Sequence, residues 1–226
     1  MPSTENAARQ LSLALPDSPP EYGRASFIAA ESNEAALRAG EAWLRSDEPA
    51  LVICGPQGAG KTHLAYALLE PYDKTATLAD VFFTGDPDYV LVDDMPASDP
   101  HKFLSAYETA CARGKRLILA GAGHPSDWSL GLKDLRTRLE AAPRAVLADP
   151  DETLIRAVIA KGFRDRQVMV SPAVIEYAAP RIARTFAAAH RFVALADRRA
   201  MAEKRKITTP FVQNLFANLS EGDSAP

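Results

Sequence analysis

Eight residues constrain this chain more than any others: Gly55-Pro56-Gln57-Gly58-Ala59-Gly60-Lys61-Thr62. They read G-x-x-x-x-G-K-T, a complete P-loop, and their surroundings fit it. The apolar run Leu51-Val52-Ile53-Cys54 precedes the loop, and a helical pattern from Leu64 to Leu69 follows it. Strand, glycine loop and helix in that order form a cradle for phosphate. The glycines let backbone N–H groups turn inward, and the helix N-terminus adds a positive dipole. Lys61 would reach the β- and γ-phosphates, Thr62 would place its hydroxyl on Mg²⁺, and His63 would follow at the edge of the cradle. The expected ligand is a purine nucleotide.

A parallel sheet is expected around this loop. Thr75 to Leu78, Tyr89 to Val92, Arg116 to Ala120 and Arg144 to Leu147 read as four more strands. Helical patterns lie between several of them, including one from Ser32, where Ser32 and Asn33 are candidate caps, and one from Leu104 to Arg113. Strands alternating with helices imply a parallel sheet covered on both faces. After Asp149-Pro150 no strand run appears. Glu152–Arg164, Pro172–Ala179, Ile182–Lys204 and Pro210–Leu219 all carry helical spacing, and Ser171-Pro172 and Thr209-Pro210 read as helix starts. The expected division is an arm over 1–20, an α/β nucleotide-binding domain over 21–149, a small all-α domain over 150–221 and a tail over 222–226.

Tyr89-Val90-Leu91-Val92-Asp93-Asp94 has the form of the second nucleotide motif. A carboxylate at the end of a buried parallel strand lands at the same sheet edge as the P-loop. Asp93 would hold Mg²⁺ through water, and Asp94 would orient or deprotonate the attacking water. Leu135-Arg136-Thr137-Arg138-Leu139 follows the fourth strand. Its arginines suit either a solvated helix face or a finger that reaches a neighbouring subunit's γ-phosphate. Arg181 and Arg184 are expected to open the long helix of the small domain, with Arg184 turned to the phosphates.

In the arm, Gln10-Leu11-Ser12-Leu13-Ala14-Leu15 is a short apolar island among polar residues and prolines. Its alternating leucines share one side of an extended strand. Two readings stand: a strand docked on the protein's own body, or a linear peptide for a partner's groove. With 226 residues and a net charge of −3, the chain lacks the global basic character of a dedicated DNA-binding protein, though a local basic patch remains compatible with that total. Two cysteines give no disulfide framework, and no apolar run approaches membrane-spanning length. A cytoplasmic location is expected.

Taken together, these motifs resemble the AAA+ ATPases of the bacterial replication-initiator group, and within it the regulatory homologues of DnaA. Gln10-Leu11-Ser12-Leu13 resembles that family's sliding-clamp-binding peptide. Phe27 to Asn33 resembles the adenine-side entry segment. Thr137-Arg138-Leu139 resembles the arginine-finger box, which selects Arg138 over Arg136, and Arg184-Thr185-Phe186 resembles the second sensor. The resemblance implies an AAA+ P-loop NTPase fold with a parallel five-stranded sheet and an all-α lid. It implies ADP or ATP with Mg²⁺ as cofactors, and the DNA polymerase sliding clamp and DnaA as partners. It further implies an adaptor that stimulates hydrolysis of DnaA-bound ATP, with Arg138 acting in trans and homo-oligomers within reach. Two features depart from the pattern. The chain stops where DnaA's origin-reading domain would begin, so sequence-specific DNA binding is not expected. The first sensor position falls in Ala120-Gly121-Ala122-Gly123, which offers no side chain to a γ-phosphate. Weak intrinsic hydrolysis and a resident ADP follow as expectations. A self-sufficient AAA+ ATPase such as a helicase loader is the competing reading. A P-loop small-molecule kinase explains less of the chain.

Overall fold

The computed structural model describes residues 23–70, 75–77, 88–95, 99–128 and 130–222. The island over residues 10–15 and the arm that carries it lie outside the described residues, as does most of the expected tail.

Helix α1 (Glu31–Leu44) leads into strand β1 (Ala50–Gly55), the P-loop and helix α2 (Lys61–Leu69). Then come β2 (Thr75–Thr77), β3 (Tyr89–Met95), α3 (Pro100–Ala112), β4 (Arg116–Ala122), α4 (Lys133–Ala141) and β5 (Arg144–Val146). The strands form one sheet in the order β2-β3-β4-β1-β5, and every pairing is parallel. β1 is central and fully apolar over Leu51–Cys54, as burial on both faces demands. Parallel strands send all their C-terminal ends to one edge. The P-loop after β1, Asp93 at the end of β3 and Ala122 at the end of β4 therefore share that edge.

Each face of the sheet has its own core. On one, Leu51 and Ile53 pack with Leu37, Trp43, Leu64 and Leu68 of α1 and α2. On the other, Val52 and Cys54 pack with Phe103, Tyr107, Leu135 and Leu139 of α3 and α4. The alternation of β1 side chains between these two cores is the period-2 geometry of a strand. Arg116, the first residue of β4, lies 4.1 Å over the Trp43 ring and donates to the carbonyls of Trp43 and Leu44. It closes the C-terminal end of α1, where cations and donors are favoured.

Beyond β5 the chain is helical: α5 (Glu152–Asp165), α6 (Pro172–Ala178), α7 (Phe186–Glu203) and α8 (Thr209–Gly222). They enclose a third core of Ile155, Ile159, Phe163, Val193, Val212 and their neighbours. Phe163 meets Phe192 edge-on at 6.0 Å, and Phe192 stacks on Phe216 at 5.6 Å. No helix among the described residues is long and apolar enough to cross a membrane.

Three local expectations are corrected. Helix α1 starts with Ala30 as its N-cap rather than Ser32 or Asn33. Asn33 still serves the start of the helix, because its Oδ1 accepts the Ala30 N–H at 2.8 Å. The long helix begins at Phe186 with Thr185 as its cap, so Arg181 and Arg184 precede it. Arg184 is the central residue of a tight turn closed by the Thr185 N–H on the Ala183 carbonyl. Helix α8 is capped by Thr208, whose Oγ1 accepts from the Phe211 N–H, one residue before the expected Thr209.

Candidate nucleotide site

The P-loop backbone adopts conformations that only glycine takes freely. Gly55, Gly58 and Gly60 have φ of 148°, 77° and 90°. At Gly55 there is also no room: a Cβ would stand 2.2 Å from the Leu147 carbonyl oxygen. At Gly60 it would stand 2.8 Å from the Phe186 ring, and at Gly58 it would meet Thr185 at 3.5 Å. The start of α7 thus rests against the outside of the loop. Between these glycines, Pro56 and Gln57 lie on the exposed rim, and Ala59 is buried.

Lys61 folds its ammonium back over the loop and donates to the carbonyls of Gly55 at 3.2 Å and Pro56 at 2.7 Å. Burial pushes its pKa below the ordinary lysine range, and nearby Asp93 opposes that fall. Thr62 donates its hydroxyl to Asp93 Oδ2 at 2.7 Å. This contact joins the two nucleotide motifs across 31 residues of sequence. A hydroxyl and a carboxylate so paired fit Mg²⁺, which takes one or two protein oxygens and completes its shell with phosphate and water. No cluster of three or more His, Cys, Asp or Glu side chains suited to a metal occurs among the described residues.

Asp94 lies in a bulge. The pairing of β3 with β4 shifts between Val92 and Met95, and Asp94 has φ 58°. A bulge re-aims the residues it contains. Here it leaves both carboxylates exposed at the sheet edge, with the Asp94 N–H donating to Asp93 Oδ1 at 3.0 Å. Beside it, β4 is built from small residues for a packing reason. A Cβ on Gly121 would stand 2.5 Å from the Trp128 ring and 2.6 Å from the Met95 carbonyl oxygen. The indole of Trp128 donates to the Ala122 carbonyl at 2.6 Å, and Gly123 N–H donates to the Gly55 carbonyl at 3.1 Å. The end of β4 therefore meets the root of the P-loop through a backbone hydrogen bond.

His63 forms the other wall. Its Nε2 lies 3.1 Å from Ser26 Oγ, and its ring meets Phe27 edge-on at 5.2 Å. Burial holds its pKa below the usual histidine range, opposed by hydrogen bonding to Gly23. The entry segment before α1 is tied down on both sides. Buried Asn33 donates to the Ile28 carbonyl at 2.9 Å, and Asp151 at the start of α5 accepts from Ser32 N–H at 3.2 Å and Leu154 N–H at 2.7 Å.

The two arginines sit differently. Arg184 is exposed next to Thr185, and it has no hydrogen bond or ion pair among the described residues. Arg138 lies on α4, where its Nε donates to Asp134 at 3.0 Å and its Nη2 lies 3.4 Å from Glu108 on α3. It makes none of these contacts with the P-loop. Arg136 has only a 3.8 Å pair with Glu140. The structure thus brings together Lys61, Thr62, His63, Asp93 and the turn that carries Arg184, whereas the ion pairs of Arg138 are with α3 and its own helix. The backing of the loop by Thr185 and Phe186, and the tie between Ser32 and Asp151, were not foreseen from the sequence.

This arrangement is an α/β fold, a parallel sheet flanked by helices around a P-loop, and solved structures share it. Its solved counterparts are replication initiators and branch-migration motors. Domain III of Thermotoga maritima DnaA superposes with a TM-score of 0.76 at 17% identity, covering 88% of this chain and 97% of that one. AMPPCP-bound DnaA from Aquifex aeolicus gives 0.69 at 18% identity, over 90% and 71% of the two chains. A Thermotoga maritima RuvB variant gives 0.64 at 20%, over 85% and 70%. No protein-family model and no curated sequence matches the chain.

Proposed function

We propose that this chain is a DnaA-related AAA+ adaptor of the kind called Hda. It binds ADP or ATP with Mg²⁺, docks on the sliding clamp through residues 10–15, and stimulates hydrolysis of ATP on DnaA, which restrains initiation. The observation that carries the nucleotide part is the contact of Thr62 with Asp93 beside a glycine-conformed P-loop. In bound nucleotide, Lys61 would exchange two neutral carbonyls for phosphate oxygens, and charge-assisted bonds of that kind are the stronger ones. Arg184, unpaired beside the loop, would supply a second cation, with the α-helical segment serving as a lid. Ser26, Phe27 and His63 would line the adenine side.

The adaptor part is supported by what the site lacks and by where Arg138 lies. With Gly121 fixed as glycine by Trp128 and Met95, the expected first sensor position, Ala120 to Gly123, offers no polar side chain. Weak hydrolysis in cis follows. Arg138 is exposed and pairs with Asp134 and Glu108 rather than with its own P-loop, which is compatible with a finger that acts on a partner's nucleotide. A finger contributes in the transition state and is worth ~10³–10⁵ in rate. The complete pair of nucleotide motifs, with Asp94 in place, favours the second reading, a self-sufficient ATPase such as a helicase loader.

The deciding assay is phosphate release from DnaA-bound ATP with clamp and DNA present. Wild type should stimulate, and Arg138→Ala should lose more than ~10-fold of that stimulation while still binding nucleotide. Gln10→Ala with Leu11→Ala should lose both stimulation and clamp binding. Full stimulation by Arg138→Ala refutes the trans finger. Rapid ATP turnover by the isolated chain, indifferent to clamp, selects the second reading.

A further inference from the structure

The chain carries 26 basic and 29 acidic side chains, but their distribution is uneven. Between residues 191 and 206 six are basic and only two are acidic. Both acidic groups are engaged: Glu203 pairs with Arg199 at 2.8 Å and Arg205 at 3.3 Å, and Asp197 lies 3.9 Å from Arg166. Arg191, Arg198, Lys204 and Lys206 are exposed and have no ion-pair partner among the described residues. Arg191 and Arg198 are seven residues apart and share one face of α7, about 10 Å from each other. Lys204 and Lys206 continue past the end of that helix.

Lys204 occupies an unusual position. Helix α7 closes with Lys204 N–H on the Met201 carbonyl and Arg205 N–H on the Ala200 carbonyl, and Lys204 itself has φ 50°. This closing pattern is normally completed by glycine, because a side chain in left-handed backbone is strained. Here the strained position carries a long cation. One cation at a helix C-terminus is accounted for by the helix dipole. That effect does not reach Arg191, more than three turns back from the end of the helix, or Lys206, which lies beyond it. Helix α8, which starts at Thr209, has no acidic residue in its first turn to neutralise them.

We infer that the exposed cations of α7 and of the turn after it form a contact for the phosphate backbone of duplex DNA, with no reading of base sequence. Four unpaired cations within sixteen residues, on flexible stems, suit a line of phosphates. An acidic protein partner would call for apolar anchors as well, and the patch offers one, Met201 at 71% exposure. The contact does not rest on the DnaA reading.

Fluorescence anisotropy of the full chain with two labelled duplexes of unrelated sequence, over a series of salt concentrations, tests this. Both duplexes should bind equally, and log K should fall against log salt with a slope of roughly −3 to −4, for about four phosphate contacts. Lys204→Gly with Lys206→Ala should reduce the size of the slope by about 2 and weaken low-salt binding more than ~10-fold. Glycine suits the left-handed position, so this variant should melt no lower than wild type, which separates loss of charge from loss of fold. No binding at low salt, an unchanged slope in the variant, or a preference for one duplex overturns the inference. Tighter binding of polyglutamate than of duplex overturns it in favour of an acidic protein.

Discussion

Lys61 is held by the carbonyls of its own loop, and a phosphate has only to offer a charged acceptor to draw it outward. Lys61→Ala should therefore cost nucleotide affinity on the scale of a hydrogen bond to a charged group, about 1.5–3 kcal/mol, or roughly 10- to 100-fold. Calorimetric titration with ADP measures it, and an unchanged affinity in a folded variant contradicts the site. His63 makes a second residue-scale prediction. Its folded pKa lies below the ordinary value, so between the two values the unfolded chain binds more protons than the folded one. Its contribution is complete above the unfolded pKa of about 6.5 and is lost as pH falls below that. Melting temperature should drop between pH 7 and 5.5, and His63→Gln should flatten that part of the profile. At this scale the sequence was legible wherever the motif is local. The glycines, Lys61 and Thr62 lie within one short stretch of chain, so their order alone predicts the conformation of the loop. Phe186 backs Gly60 from 126 residues away, and no spacing rule connects them.

At the scale of elements, helix starts were harder to read than helix bodies, because several donors compete for one terminus. Ser32 looks like a cap, yet its N–H goes to Asp151 and its hydroxyl accepts from the Asp151 N–H at 3.4 Å. Asp151 in turn caps α5 through Leu154 N–H, so one carboxylate joins the entry segment to the helical part of the chain. Burial acts to raise its pKa, and the hydrogen bonds from Leu154 and Ser32 outweigh that and lower it. Asp151→Ala should lose about 1–2 kcal/mol, the usual cost of a removed cap. Urea unfolding would register it as a lower midpoint at constant slope, and a loss under about 0.5 kcal/mol, the scale of an ordinary surface change, would mean the tie is incidental. The long helix was overrun at its start for a related reason. Ile182, Ala183 and Arg184 continue a helical pattern, but Thr185 accepts the Ala188 N–H and sets the boundary.

For the whole molecule, the alternation of strands and helices predicted the parallel sheet, and the loss of strand runs after residue 150 predicted the helical end. Those are signals of period and composition, summed over many residues. What they leave open is which strand lies between which. The order β2-β3-β4-β1-β5 places β4 between the strands that carry the two nucleotide motifs, and this makes Gly121 to Gly123 part of the site. One consequence is optical. The chain has two tryptophans, and they sit at opposite ends of its behaviour. Trp43 is buried beneath Arg116, remote from the phosphate cradle. Trp128 hangs its indole proton on the last carbonyl of β4, one residue from the glycine that bonds the root of the P-loop. Trp128 is therefore placed to report on binding at the proposed nucleotide site. In a Trp43→Phe background, emission should shift when ADP is added, and Trp128→Phe should leave the remaining signal blind to it.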